Sequence, residues 1–270
     1  MSLPLIIEPG TLQEHLQQGS QSENTLLIID LCQPNSYEAG HIPGAVYVHP
    51  MELMLGQPPA PGKLPPKERL DALFARIGLT PDTHVVVYDD EGGGWAGRMI
   101  WTLDVIGHKH YSYLNGGIHA WRAAGLPLSA ELVEATPAAN DIAIDNRFFV
   151  TKEELLQRLD GSTTIWDARS AAEHTGEKMV SARGGHIPGA KNCDWTWLMD
   201  RERELRIRED AREYLATIGI DGSKPIVTHC QSHHRSGFTY LVGKSLGFDI
   251  QAYPGSWSEW GNDPNTPIET

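Results

Sequence analysis

The chain has 270 residues, 40% of them hydrophobic, and a formal net charge of −13. That supports a substantial core in two modest domains or one large one. The acidic balance argues against nucleic acid as a partner, because phosphate neutralisation needs a basic face, and the one Arg-dense stretch, RERELRIRED at 201–210, is interleaved with acids.

In chain order, the opening MSLPLIIEPG is interrupted by Pro4 and Pro9, is too short to span a bilayer and lacks a preceding basic segment, so neither a signal peptide nor a membrane span is expected. Thr11-x-x-Glu14 has the spacing of a helix capping box. TLLIID at 25–30 is an apolar run ending in an acid, and Gly40-His41-Ile42-Pro43-Gly44-Ala45 follows it as a turn. ERLDALFARIGL at 68–79 has helical apolar spacing, VVVYD at 85–89 is a β-branched run, and NGGIHAW follows at 115–121. The stretch PLSAELVEATPAANDIAIDN at 127–146 is rich in Ala, Pro and acids and is read as a linker.

The same elements then return in the same order. Thr151-x-x-Glu154 answers the first capping box, STTIWD at 162–167 the first apolar run, and Gly185-His186-Ile187-Pro188-Gly189-Ala190 the first turn. EDAREYLATIGI at 209–220, IVTHC at 226–230 and PGSWSEW at 254–260 complete the second copy. The expected organisation is a domain at 1–126, the linker at 127–146 and a second domain at 147–270. Short β-branched runs alternating with helical stretches predict an α/β fold in each copy, a mainly parallel sheet with helices on both faces.

Ligands of open α/β sheets bind beyond the carboxyl ends of the strands, and HCQSHHRSG begins where PIVTH stops. The apolar spacing of SGFTYLVGKSLG predicts a helix starting near Arg235 or Ser236. The loop therefore wraps a helix N-terminus, where successive amides form an anion cradle that also depresses the pKa of a thiol at its centre. Cys230 is the candidate nucleophile, and Gln231, Ser232, His233, His234 and Arg235 are candidate substrate-binding residues. Arg235 offers a forked donor face for an oxyanion, and His229, His233 and His234 are tunable donors. Three cysteines, an odd number far apart, suit a reduced cytoplasmic protein. Neither Cys32 nor Cys193 opens such a loop, and both are expected to be structural. His229, Cys230, His233 and His234 are all possible zinc ligands, but no second Cys/His pair stands at the usual spacing and Arg235 would repel a cation, so no metal site is expected.

Two tandem copies, GHIPGA in each, and a cysteine loop only in the second resemble the rhodanese family over nearly the whole chain; DDEGGGWAGR at 89–98 and AYPGSWSEW at 252–260 add to the likeness. The resemblance implies a thiosulfate:cyanide sulfurtransferase in which Cys230 carries sulfur as a persulfide and Gln231 to Arg235 form its cradle. The donor would be thiosulfate, the acceptor cyanide or a thiol, and no cofactor is needed. It further implies a catalytically silent first domain, consistent with Asp89 standing in the place of Cys230. Many two-domain relatives, mercaptopyruvate sulfurtransferases among them, carry a substrate-binding arginine six residues after the strand-end aspartate; counting from Asp167 here reaches Glu173. Their loops also tend to read CRKGVT or CGSGVT. Two further sulfur-transfer readings are a 3-mercaptopyruvate sulfurtransferase and a module delivering sulfur to a partner protein. Dual-specificity cell-cycle phosphatases share the fold but place five residues between Cys and Arg, where this chain has four.

Overall fold

A computed structural model describes residues 3–18 and 26–270. The described chain divides into two compact units, and each contains a parallel sheet.

The first unit runs β1 (Ile6–Ile7), α1 (Pro9–Gln18), β2 (Leu26–Asp30), α2 (Pro34–Ala39), β3 (Val46–Tyr47), α3 (Lys67–Arg76), β4 (His84–Tyr88), α4 (Gly94–Val105), β5 (Tyr111–Leu114) and α5 (Gly117–Ala123). Its strands lie in the order β1-β5-β4-β2-β3, each neighbouring pair parallel. Every residue of β4, HVVVY, is buried, because helices cover both faces of a parallel sheet and alternation disappears. Val86 and Tyr88 join Ile28, Leu114 and Trp121 in one core cluster. Thr25, the first residue of the run read at 25–30, lies outside the described residues.

The second unit contains α6 (Lys152–Leu156), β6 (Thr164–Asp167), α7 (Ala171–His174), β7 (Lys191–Asn192), α8 (Ala211–Thr217), β10 (Ile226–His229), α9 (Arg235–Ser245), β11 (Ile250–Ala252) and α10 (Ser256–Trp260), and a small ribbon pairs β8 (Met199–Asp200) with β9 (Arg206–Ile207). The parallel strands lie in the order β11-β10-β6-β7. The chain builds outward from β6 to β7, then returns to the other side of β6 with β10 and continues to β11. The switch point therefore falls between β6 and β10, and their carboxyl ends, in register at Asp167 and His229, open the crevice where such sheets bind ligands. Val227, Ile165, Tyr253, Trp257 and Trp260 form the core on one face.

Three features depart from the sequence reading. Thr151 caps α6 in a reciprocal box with Glu154, but Thr11 lies inside α1, which starts at Pro9, so no box forms there. Proline at the start of a helix has no amide that needs a cap, and the helix begins earlier than the Thr signal. The contiguous domains 1–126 and 147–270 also exchange segments: Met54–Leu64 packs into the second unit and Asp200–Ile207 into the first. Finally, the start of the stretch read as a linker, 127–129, has a counterpart at 267–269 in the second copy. Trp121 Nε1 donates to the Pro127 carbonyl and Trp260 Nε1 to the Pro267 carbonyl, each at 2.8 Å, while His41 pairs with Ser129 and His186 with Glu269 as antiparallel bridges. Each histidine-containing turn is thus tied down by a short segment following the last helix of its unit.

Candidate functional site

β10 is central in its sheet and wholly buried, so the residue after it is delivered to the crevice with little freedom. That residue is Cys230, 1% exposed, and α9 begins at Arg235. Residues 231–234 make the turn between them. His233 is the loop's left-handed residue, with φ 54°, a conformation histidine tolerates better than bulky or β-branched residues.

The cysteine's own peptide groups are fixed by the loop after β11. The Trp257 amide donates to the Cys230 carbonyl and the Ser258 amide to the Gln231 carbonyl, both at 2.9 Å, and the Cys230 amide donates to Ser256 Oγ at 3.4 Å. Burial works against ionisation of the thiol. It is outweighed by the Arg235 charge, by hydrogen bonds from the Ser236 hydroxyl and amide and by His234, and the thiol sits below its ordinary pKa. With the Ser236 hydroxyl donating to sulfur, its oxygen is left to accept from His233 Nδ1 at 2.7 Å.

The other two thiols are shifted the opposite way. Burial and neighbouring Asp30 push Cys32 far up, and burial with Asp194 pushes Cys193 up to about 12. All three cysteines are buried, so it is charge and hydrogen bonding that set Cys230 apart.

The flanking side chains are less available than the sequence suggests. Arg235 turns its fork onto Glu173, Nη1 to Oε2 at 2.7 Å and Nη2 to Oε1 at 2.8 Å. Here two donors of this fork hold Glu173, and the arginine reaches Cys230 as a positive charge. Glu173 is in turn fixed by a capping box with Ser170 at the start of α7. Burial opposes the ionisation of Glu173, but Arg235 and Ser170 hold its carboxyl at about 2.

Gln231 Nε2 donates to Ser181 Oγ at 3.1 Å, His233 is fully buried, and the His234 ring lies 5.5 Å from that of Trp195. His229 is also fully buried and is lowered to about 4, first by burial. Its Nδ1 donates to the Cys230 carbonyl at 3.2 Å and its Nε2 lies 4.0 Å from Asp167 Oδ1. Burial works against a charge on its ring while the nearby Asp167 carboxylate favours one.

Behind the loop lies a buried charge network not anticipated from the sequence. Arg169 holds the Asp167 carboxylate through Nε at 2.9 Å and Nη2 at 2.6 Å, and His174 Nδ1 joins at 2.9 Å. The Arg169 guanidinium lies over the Trp257 ring, 4.4 Å from its centroid. Burial opposes a charge on Asp167, but His229, His174 and Arg169 hold it far below the usual carboxylate range. The acid ending STTIWD was a visible signal for this network, as was Ser170-x-x-Glu173 for the capping box. Ser236 and Ser256 carried no local signal. Among the described residues, no group of three or more His, Cys, Asp or Glu side chains is arranged to hold a metal ion, and no helix is long and apolar enough to cross a membrane.

The corresponding loop of the first unit joins β4 to α4. Asp89, fully buried, accepts hydrogen bonds from the amides of Glu91 (3.2 Å), Gly93 (2.8 Å) and Ala96 (3.0 Å).

A parallel sheet with a cysteine loop at its switch point, built twice with a thiol only in the second copy, defines the class. Residues 9–124 and 151–263 each match the rhodanese-like domain, and the chain belongs to the rhodanese family. It is 52% identical to the thiosulfate sulfurtransferase of Azotobacter vinelandii, over 99% of this chain and 98% of that protein. It is 50% identical to the thiosulfate sulfurtransferase of Pseudomonas aeruginosa, over 99% and 97%. The sulfur carrier protein TtuD of Thermus thermophilus is 31% identical over 98% and 96%. Among solved structures, the anaerobic ergothioneine biosynthesis enzyme of Chlorobium limicola shares the fold, with a TM-score of 0.86 at 22% identity over 98% of this chain and 70% of that one.

Proposed function

We propose that this protein is a thiosulfate sulfurtransferase with Cys230 as its sulfur carrier and the loop from Gln231 to Arg235 as the cradle. The observation that carries the reading is the contrast among three buried thiols, of which Cys230 alone is shifted toward the thiolate. Half the residues are shared over full length with two thiosulfate sulfurtransferases, which supports thiosulfate as donor.

In the first half-reaction the thiolate attacks the outer sulfur of thiosulfate, the S–S bond of the donor breaks, and sulfite leaves with the bonding electron pair. The enzyme then holds Cys230-S-S⁻. Amides at the start of α9 and the Arg235 charge stabilise that terminal anion. In the second half-reaction cyanide or a thiolate attacks the terminal sulfur and returns Cys230 as thiolate. Glu173 takes two donors of the Arg235 fork, so the amides at the start of α9 are the further donors for the oxyanion of thiosulfate. The first domain would be catalytically silent, its cradle holding Asp89. Likeness to a sulfur carrier protein supports a protein thiol as a second class of acceptor. Free, buried thiols suit the cytoplasm as the compartment.

Intact mass after thiosulfate treatment tests this. The wild-type chain gains about 32 mass units, one sulfur. Cys32→Ser and Cys193→Ser retain the gain and Cys230→Ser loses it. A labile sulfur on Cys230→Ser would defeat the assignment, and a higher kcat/KM for mercaptopyruvate than for thiosulfate would defeat the donor.

A further inference from the structure

We infer that the segment Met54–Leu64, written in the first half of the chain, forms a wall of the active-site loop, with Gly62 as a positioning residue for sulfur loading. The inference rests on Cys230 as the sulfur carrier.

The segment packs in the second unit. It is closed on itself by backbone hydrogen bonds, from the Leu55 amide to the Lys63 carbonyl at 2.8 Å and from the Gly56 amide to the Pro61 carbonyl at 2.9 Å. A Cβ placed on Gly62 would lie 2.1 Å from the Ser232 carbonyl oxygen and 2.8 Å from that of Pro254. The glycine therefore lies against two loops at once, the turn carrying Cys230 and the turn after β11. These are the loops already joined by the Trp257 and Ser258 amides. Its neighbour Lys63 pairs with Glu259, whose Oε2 accepts the Tyr253 hydroxyl at 2.9 Å, so the segment is anchored to the second of the two loops.

Both obstacles are backbone, not the tip of a mobile side chain, so a methyl group cannot be absorbed by a rotamer change. The Ser232 peptide would have to retreat by about an ångström to restore ordinary contact. Ser232 stands two residues from Cys230, inside the turn that joins it to Arg235 and Ser236, the residues that oppose burial of the thiol. Placement errors of about an ångström in a reacting constellation cost up to a hundredfold in rate.

The first unit supports the assignment by reciprocity. There the segment Asp200–Ile207, from the second half of the chain, lies against the turn after β5. A Cβ on Gly116 would come 2.7 Å from the Glu204 carbonyl, and the Ile207 amide donates to Asn115 Oδ1 at 3.0 Å.

The test compares full-length wild type and Gly62→Ala in single-turnover sulfur loading followed by intact mass, and in the pH dependence of Cys230 alkylation. Gly62→Ala is expected to load about tenfold to a hundredfold more slowly. Its alkylation midpoint is expected to move to higher pH, because a displaced turn shifts Cys230 relative to Arg235, Ser236 and His234, which then oppose burial less. A merely structural role would move stability but not that midpoint. Failure of the wild type to load sulfur on Cys230 would overturn the sulfurtransferase reading itself. A wild type that loads beside a folded Gly62→Ala with the same rate and midpoint would overturn only the positioning role. Should Gly62→Ala not fold, Lys63→Gln, at a side chain 45% exposed, decides instead by loosening the same segment from Glu259: severalfold slower loading upholds the inference, and an unchanged rate and midpoint overturn it.

Discussion

The turns after β4 and β10 occupy residues 90–93 and 231–234, and each leads from the end of a buried strand into a helix N-terminus. One closes on a carboxylate and the other on a thiol. In the first, Asp89 supplies its own anion and takes the amides of Glu91, Gly93 and Ala96 for itself; burial and nearby Glu91 still push it up to about 6. In the second, the smaller cysteine leaves the charge to be set by what surrounds it, Arg235 and Ser236 above all. The next turns differ in the same sense. Gly117 and Ser256 both have φ near 55°, but a Cβ on Gly117 would lie 2.2 Å from the Asp89 carbonyl, whereas Ser256 fits and accepts the Cys230 amide. A helix N-terminus at a switch point makes an anion cradle wherever the fold is repeated. The side chain at the strand end decides whether that cradle is already full.

Removing the charge of the second turn is the strongest test of that contrast. Gly94 stands where Arg235 does, so Arg235→Ala brings the second cradle closer to the first. Sulfur loading should slow on the order of a hundredfold, and the Cys230 alkylation midpoint should rise, because burial, the largest influence on the thiol, is then opposed only by hydrogen bonds and His234. Arg235→Lys should recover part of the rate, since an ammonium keeps the charge but not the two-pronged grip on Glu173. A folded Arg235→Ala protein with wild-type rate and midpoint breaks the comparison.

Glu173 tests the same pair through stability. Its carboxyl lies at about 2 in the folded protein against an ordinary 4.5, so it contributes stability that is present above the ordinary value and lost as pH falls toward 2. Denaturant unfolding should place Glu173→Gln below wild type by on the order of 3 kcal/mol near neutral pH, with the gap closing through the acid range. A gap independent of pH would show that the loss is one of packing and not of charge.

The smallest expected effect separates the two helix starts. Thr151→Ala should cost about 1 kcal/mol of stability, the typical value of an N-cap, while Thr11→Ala, inside α1, should cost less than half as much. Thermal unfolding of both variants checks this, and equal losses would mean that the box at Thr151 contributes nothing.

Much of this protein was legible as text because its determinants are local. Helical spacing marked α3 and α8 to within a few residues, β-branched runs marked β4 and β10, and the duplicated GHIPGA announced two copies of one fold. The loop after β10 could be found as well, since a strand, a Cys and a helix start are neighbours in sequence. The Glu173–Arg235 pair joins residues 62 positions apart, and it exists because β6 and β10 lie side by side with their ends in register. Gly62 reaches Ser232 only because a segment of the first half packs into the second unit. Apolar periodicity and turn chemistry are properties of a few consecutive residues, so the sequence by itself determined the repeated α/β fold and the place of Cys230. The partners of Arg235, the burial of His229 beside Asp167 and the backing of the Cys230 loop depend on which distant elements lie side by side, and only the tertiary structure decided them.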